Sequence, residues 1–441
     1  MKAYQSFLID VARSLLTRLE QLEPFGIHMP RVPAATVSTR AEGEIHRLLL
    51  KGKKQLTEKV RAFIDLLIRS SDIPAADAQK ALVYLKLNFN SLLDQLDIFA
   101  DVLTQRGEHK TGVFLAGLDV LARDALKLKG HYFHPPPLAC YLDRGHGAAI
   151  RRARTRLPGG KANPVALIRV PRERMISSSV SGSLIHEAGH QAAALLNLLP
   201  GLAAKLHFIS RQGGPYDKAW SLLERWIGEI VSDFWSVAHL GIGSTLGLIN
   251  VVSLPSYFVF RISKDGPHPF PWIRVKISCQ LGKTLYPDPQ WDKLERLWER
   301  LYPLDRISAR KADLIKKLED IMPAFSHMLI THRPASLRGK ALMSVFPIEE
   351  RRPARLRVLW REWQGDLSVM KSARPTLVFA VIGQAKFDKK INPQTESKLL
   401  NVLLANWALY RTHDKEASML HSNKLLNEKT LWKYDNGILI Q

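Results

Sequence analysis

His186 and His190 stand four residues apart with Glu187 beside the first, in the run Ser-Gly-Ser-Leu-Ile-His-Glu-Ala-Gly-His. On an α-helix that spacing sets both imidazoles on one face, one turn from each other. They can therefore converge on a single cation, and the carboxylate lies beside that cation without being forced to bind it. Zinc held this way lowers the pKa of its water to about 7, and the glutamate can take the proton as that water attacks a carbonyl. The expected chemistry is zinc-assisted hydrolysis, with His186 and His190 as metal ligands and Glu187 as general base. The plainer alternative is a pair of core histidines satisfied by hydrogen bonds.

The elements that must position these residues are legible nearby. Leu184, Ile185, Ala188, Ala192, Leu195 and Leu196 predict a helix over 184–199, closed by Pro200-Gly201. A catalytic zinc usually takes three protein ligands, so a third is expected elsewhere. Trp226-Ile-Gly-Glu-Ile-Val-Ser-Asp233 offers Glu229 and Asp233, again four apart on one helix face. Trp226, Ile227, Ile230, Val231, Phe234 and Trp235 make that helix apolar nearly all round, which predicts burial. A buried carboxylate needs a cation nearby. Glu229 is thus the expected third ligand, and Asp233 the acceptor for the second N–H of a ligating histidine. Gly228 is expected to let two helices approach closely.

His-Glu-Ala-Gly-His at 186–190 followed by Gly-Glu-Ile-Val-Ser-Asp at 228–233 resembles the gluzincin, or thermolysin-like, zinc metallopeptidases. The resemblance runs over residues 165–275 and implies a zincin-like core. It implies zinc ligation by His186, His190 and Glu229, a general base at Glu187, and support of a ligand histidine by Asp233. Asp265-Gly-Pro-His-Pro-Phe-Pro-Trp-Ile-Arg274 is similar to the His-Pro…Arg element of the CaaX-prenyl-protease type of metallopeptidase. By that analogy His268 reaches the active site and hydrogen-bonds the oxyanion, while Arg274 braces the fold. The residues themselves equally allow a surface histidine held in place by prolines. The resemblance also implies that residues 166–170 or 175–180 form an edge strand on which an extended peptide lies. Read alone, the β-branched string 165–170 is a strand that can equally be interior.

The chain departs from the membrane type in having no stretch of about twenty uninterrupted apolar residues. Its longest apolar run, 240–259, is broken by Gly241, Gly243, Gly247, Asn250 and Pro255 among others. No membrane span is expected, and prenylated substrates are not implied. The two cysteines, Cys140 and Cys279, make no disulfide framework and suit a cytoplasmic setting. The first residues, with Asp10 among them, predict an amphipathic helix instead of a signal peptide.

The formal charge is +23, from 64 basic and 41 acidic side chains. Basic residues gather at 144–161, with Arg151, Arg152, Arg154 and Arg156, and at 338–361, with Arg351, Arg352, Arg355 and Arg357. Such patches attract nucleic acid or acidic protein non-specifically. No nucleic-acid-binding signature accompanies them, so a solvated basic face is the simpler account.

Leucine periodicity makes residues 1–130 an all-helical region. Residues 131–285 hold the catalytic core, opening on a Pro- and Gly-rich connector whose His131 and His134 lack an acidic companion. Residues 286–441 are expected to be mostly helical, over 291–302, 306–321 and 397–410, with a strand-like Thr376-Leu-Val-Phe-Ala-Val-Ile382. The fold class is thus mainly α with a small β-sheet (α+β). The expected function is zinc-dependent hydrolysis of a protein or peptide substrate. Two alternatives are a zinc hydrolase of a small molecule and a basic binding module with a non-catalytic metal site.

Overall fold

Three apolar stripes at the N-terminus become three helices: α1 (Ala3–Gln21), α2 (Thr39–Arg69) and α3 (Ala75–Thr104). Ser38 starts α2 by accepting from Ala41 N–H at 3.2 Å, and Pro74 precedes the first turn of α3. Leu15, Leu49, Val60, Phe89 and Leu96 meet in one buried cluster. The structure is a computed structural model that describes residues 2–22, 32–70, 72–107, 109–143, 148–172, 178–263, 265–364 and 366–410.

After α4 (His109–Ala125) come β1 (Leu138–Asp143), β2 (Ala149–Arg151) and β3 (Ala166–Pro171), which form one sheet in the order β1-β3-β2. β3 runs parallel to β1 and antiparallel to β2. The period-2 alternation of these strands divides two cores. Ala139 and Leu167 face the N-terminal helices, whereas Leu138, Cys140, Leu142, Ala166, Ile168 and Val170 face the rest of the molecule. A fully buried pair, Arg106 to Asp119 at 3.1 and 3.2 Å, ties the α3–α4 turn to β1. Asp119 Oδ1 accepts from Cys140 N–H, and Arg106 donates to the Cys140 carbonyl, so the ion pair is further held by the backbone of β1.

The second core is built by α5 (Ser179–Leu195), α6 (Leu198–Ile209), α7 (Asp217–Leu240), α8 (Ile242–Val252), α9 (Ser256–Val259) and α10 (Pro271–Leu285). It continues without a break through α11 (Gln290–Leu301), α12 (Ala309–Ile330), α13 (Pro353–Trp363), α14 (Leu367–Ser372), α15 (Pro375–Phe387) and α16, over 393–410. The fold is therefore mainly α with a small β-sheet. Its buried side chains do not follow the ranges 1–130, 131–285 and 286–441. α4 belongs to the second core, which runs on from Phe114 to Trp407.

Three local expectations need correction. The segment 376–382 is helical, as part of α15, with Pro375 in its first turn. A short apolar run cannot tell a buried helix from a buried strand, and here both kinds of face are covered, by α7, α8 and α13. The motif helix begins five residues earlier than 184 and stops at Leu195. Asn197 takes the left-handed conformation (φ 49°), which bends α5 from α6 by 86°, and Pro200 falls inside the first turn of α6. Finally, β3 is paired on both sides, so 166–170 is interior and cannot receive a peptide. Of the alternative edge strand, 175–177 lies outside the described residues, and Ser179 and Val180 open α5.

Among the described residues no single helix is long and apolar enough to cross a membrane. Cys140 and Cys279 are buried and are not joined in a disulfide. Arg151, Arg154 and Arg156 are exposed, as are Arg338, Arg352, Arg355 and Arg361 of the second basic group, two of whose arginines are drawn into the fold. Arg351 is buried, and Arg357 is clasped by Asp288 and Asp388 at 3.0 Å each.

Candidate metal centre

Four segments converge here: α5 with His186, Glu187 and His190, α7 with Glu229 and Asp233, the loop with His268, and the first turn of α10 with Arg274. The helices can bring these residues together because of a glycine. A Cβ at Gly189 would lie 2.8 Å from Trp235 Cβ and 3.0 Å from Ser232 Cα, so α5 and α7 touch backbone to backbone there. A Cβ at Gly228 would meet only Leu199 Cδ1, at 3.7 Å. The close approach expected of Gly228 is made by Gly189 instead.

His186 Nε2 lies 3.3 Å from Glu229 Oε2, and His190 Nε2 lies 3.4 Å from Glu229 Oε1. Ligand atoms of the three side chains all fall within 4.8 Å of one another. Tetrahedral zinc, with bonds of about 2.0–2.2 Å, spaces neighbouring ligand atoms about 3.3–3.6 Å apart. The two histidine–carboxylate separations fall in that range, and two imidazoles with a carboxylate are a donor set of the kind zinc takes. His186 Nδ1 is 2.8 Å from Asp233 Oδ1, so Nδ1–H donates to the carboxylate and Nε2 is the ring nitrogen turned toward Glu229.

Arg274 is part of this centre and does more than brace the fold. Its Nε and Nη2 donate to the two oxygens of Asp233 at 2.7 and 2.8 Å, a bidentate fork. Nη2 also lies 3.4 Å from Glu229 Oε2. His268 reaches the same carboxylate, with Nε2 3.3 Å from Glu229 Oε2, while its side chain remains 59% exposed. His131 and His134 lie in the loop before β1 and take no part in the cluster.

Burial opposes charge on every group here, and the neighbours decide the outcome. At His186 burial disfavours the imidazolium, but Asp233 and Glu229 outweigh it and push the pKa up to about 9. Asp233, against its own burial, is held at about 2 by Arg274 and His186. Glu229 is likewise held far below the usual carboxylate range by His186, His190 and Arg274. Glu187 goes the other way: burial raises it in spite of the two histidines. Two carboxylates are thus fixed as anions around a place for a cation, and a third is poised to take up a proton.

All of these residues except His190 line a cavity of about 230 Å³ whose wall also includes Ala148, just before β2, and Ser236, Ser244 and Ser278. These serines and the role of Arg274 escaped the sequence reading. Ser236 carried a detectable signal, since it lies seven residues after Glu229, two turns along the same face. No family model matches the chain, and no curated protein or solved structure matches it either.

Proposed function

We propose that the chain is a zinc-dependent peptidase. The observation that carries this reading is the convergence of His186, His190 and Glu229, with both histidines 3.3–3.4 Å from the carboxylate, and Glu187 buried next to His186 in the cavity beside them. Zinc held by His186, His190 and Glu229 would supply Lewis-acid activation of a water and of the scissile carbonyl. Glu187 is the carboxylate placed to take a proton from the attacking water and hand it to the leaving nitrogen, a role that suits its raised pKa. Asp233 and Arg274 hold His186 in one tautomer and one orientation. His268 is the hydrogen-bond donor available to the oxyanion. An extended polypeptide is favoured over a small molecule because β2 is an edge strand and Ala148, beside it, lines the cavity. Strand addition on β2 would carry the backbone past Glu187.

The test is metal analysis together with peptide hydrolysis. Wild-type protein and Glu187→Gln should each hold about one zinc, as three protein ligands allow, and only the wild type should cut peptides. Loss of zinc in Glu187→Gln, or undiminished hydrolysis, would refute the assignment.

A further inference from the structure

The cavity of the metal centre is lined on its other side by Ser236 of α7, Ser244 of α8 and Ser278 of α10, together with Leu248 and Val251 of α8. All three serines are buried. Ser244 Oγ donates to Ser236 Oγ at 2.8 Å, and Ser236 Oγ donates to the Gly182 carbonyl at 3.0 Å. Both hydroxyl hydrogens are thereby spent, and the two oxygens meet the cavity as acceptors. Ser278 Oγ and Thr245 Oγ1 share a hydrogen bond of 2.8 Å, which leaves that pair one hydrogen to give. A ligand group that both donates and accepts would satisfy this wall.

Charge and size narrow the choice. Glu187, Glu229 and Asp233 repel a carboxylate, and Arg274 is already clasped by Asp233. The cavity, about 230 Å³, falls below the range of about 300–1,000 Å³ common for ligand pockets. In a space of that size a short side chain leaves room for the reacting amide, and a polar one meets the serine hydroxyls. Resting on the peptidase reading, we infer that the serine-lined wall selects the residue next to the cut bond, and that it takes a small hydroxyl or carboxamide side chain. Serine, threonine and asparagine meet both requirements.

The experiment uses the zinc-loaded full chain on a degenerate peptide library, with cut positions read by mass spectrometry. Matched peptides carrying Ser, Thr, Asn, Leu or Phe at the selected position then follow, measured for kcat/KM. The same peptides are titrated into Glu187→Gln by calorimetry, a readout independent of turnover. The hydroxyl and carboxamide peptides should exceed the Leu and Phe peptides by about tenfold or more, in both readouts. Ser244→Ala and Ser278→Ala should bring that ratio toward one while zinc content and melting temperature report an intact fold. Cleavage that prefers Leu or Phe, or a ratio untouched in both variants, removes this pocket assignment and leaves the peptidase reading standing. Failure to cut any peptide removes that reading and this inference with it.

Discussion

At the scale of single residues, the centre divides into groups that touch the cation and groups that hold them. Glu229→Ala removes one of three donors and should lower zinc content sharply, while stoichiometric zinc in that variant would take Glu229 out of the ligand set. Asp233→Asn and Arg274→Lys keep all three ligands but weaken the fork that orients His186. Each should raise the zinc dissociation constant by about 10- to 100-fold, as read by chelator competition. Unchanged affinity would mean that the 2.7 and 2.8 Å contacts of Arg274 do not orient the site. The cluster was legible because His186 and His190, and likewise Glu229 and Asp233, sit four apart on a helix, a spacing visible in the chain. Ser244, Ser278 and the fork of Arg274 on Asp233 were not, because each meets the centre from another element, and nothing local marks such a meeting.

At the scale of elements, one helix crossing decides whether the centre forms. Two glycines test it. Gly189→Ala places a methyl 2.8 Å from Trp235 Cβ and 3.0 Å from Ser232 Cα, on backbone that cannot swing away. It should destabilise the fold by about 1–3 kcal/mol and weaken zinc binding as α5 and α7 are pushed apart. Gly228→Ala meets only Leu199 at 3.7 Å and removes a flexible residue from mid-helix. It should be neutral or stabilising by up to about 1 kcal/mol, as measured by urea denaturation. Equal effects at the two positions would contradict the packing described. The same crossing shows where sequence reading fails. The apolar content of 184–199 and 376–382 was plain, but the bend at Asn197 and the helical state of 376–382 depend on what packs around them. Gly243 against Gly383 illustrates the second case, since a Cβ at Gly383 would lie 2.8 Å from Gly243 Cα. That contact seats α15 on α8, and neither glycine announces the other.

At the scale of the whole molecule, the formal charge of +23 is not all displayed to solvent. Part of it is buried where the C-terminal helices close over α7. His239, at the end of α7, is fully buried, and Arg351, Arg374 and Asp124 face it from three other segments. Burial and the two guanidinium groups outweigh Asp124 and depress the imidazole to about 3, against an ordinary value of 6.5. The sign of the effect follows from the two states. Above pH 6.5 the ring is neutral both folded and unfolded, so it costs nothing. Between 6.5 and about 3 the unfolded chain binds a proton that the folded chain refuses, and stability is lost as the pH falls. His239→Gln keeps a polar side chain there but removes the titration. Unfolding free energies of the two proteins should therefore diverge on acidification, the wild type losing on the order of 2 kcal/mol more between pH 7.5 and 5.0. Parallel curves over that range would mean that His239 takes up its proton inside the fold, and that the C-terminal helices do not seal this end of α7 from water.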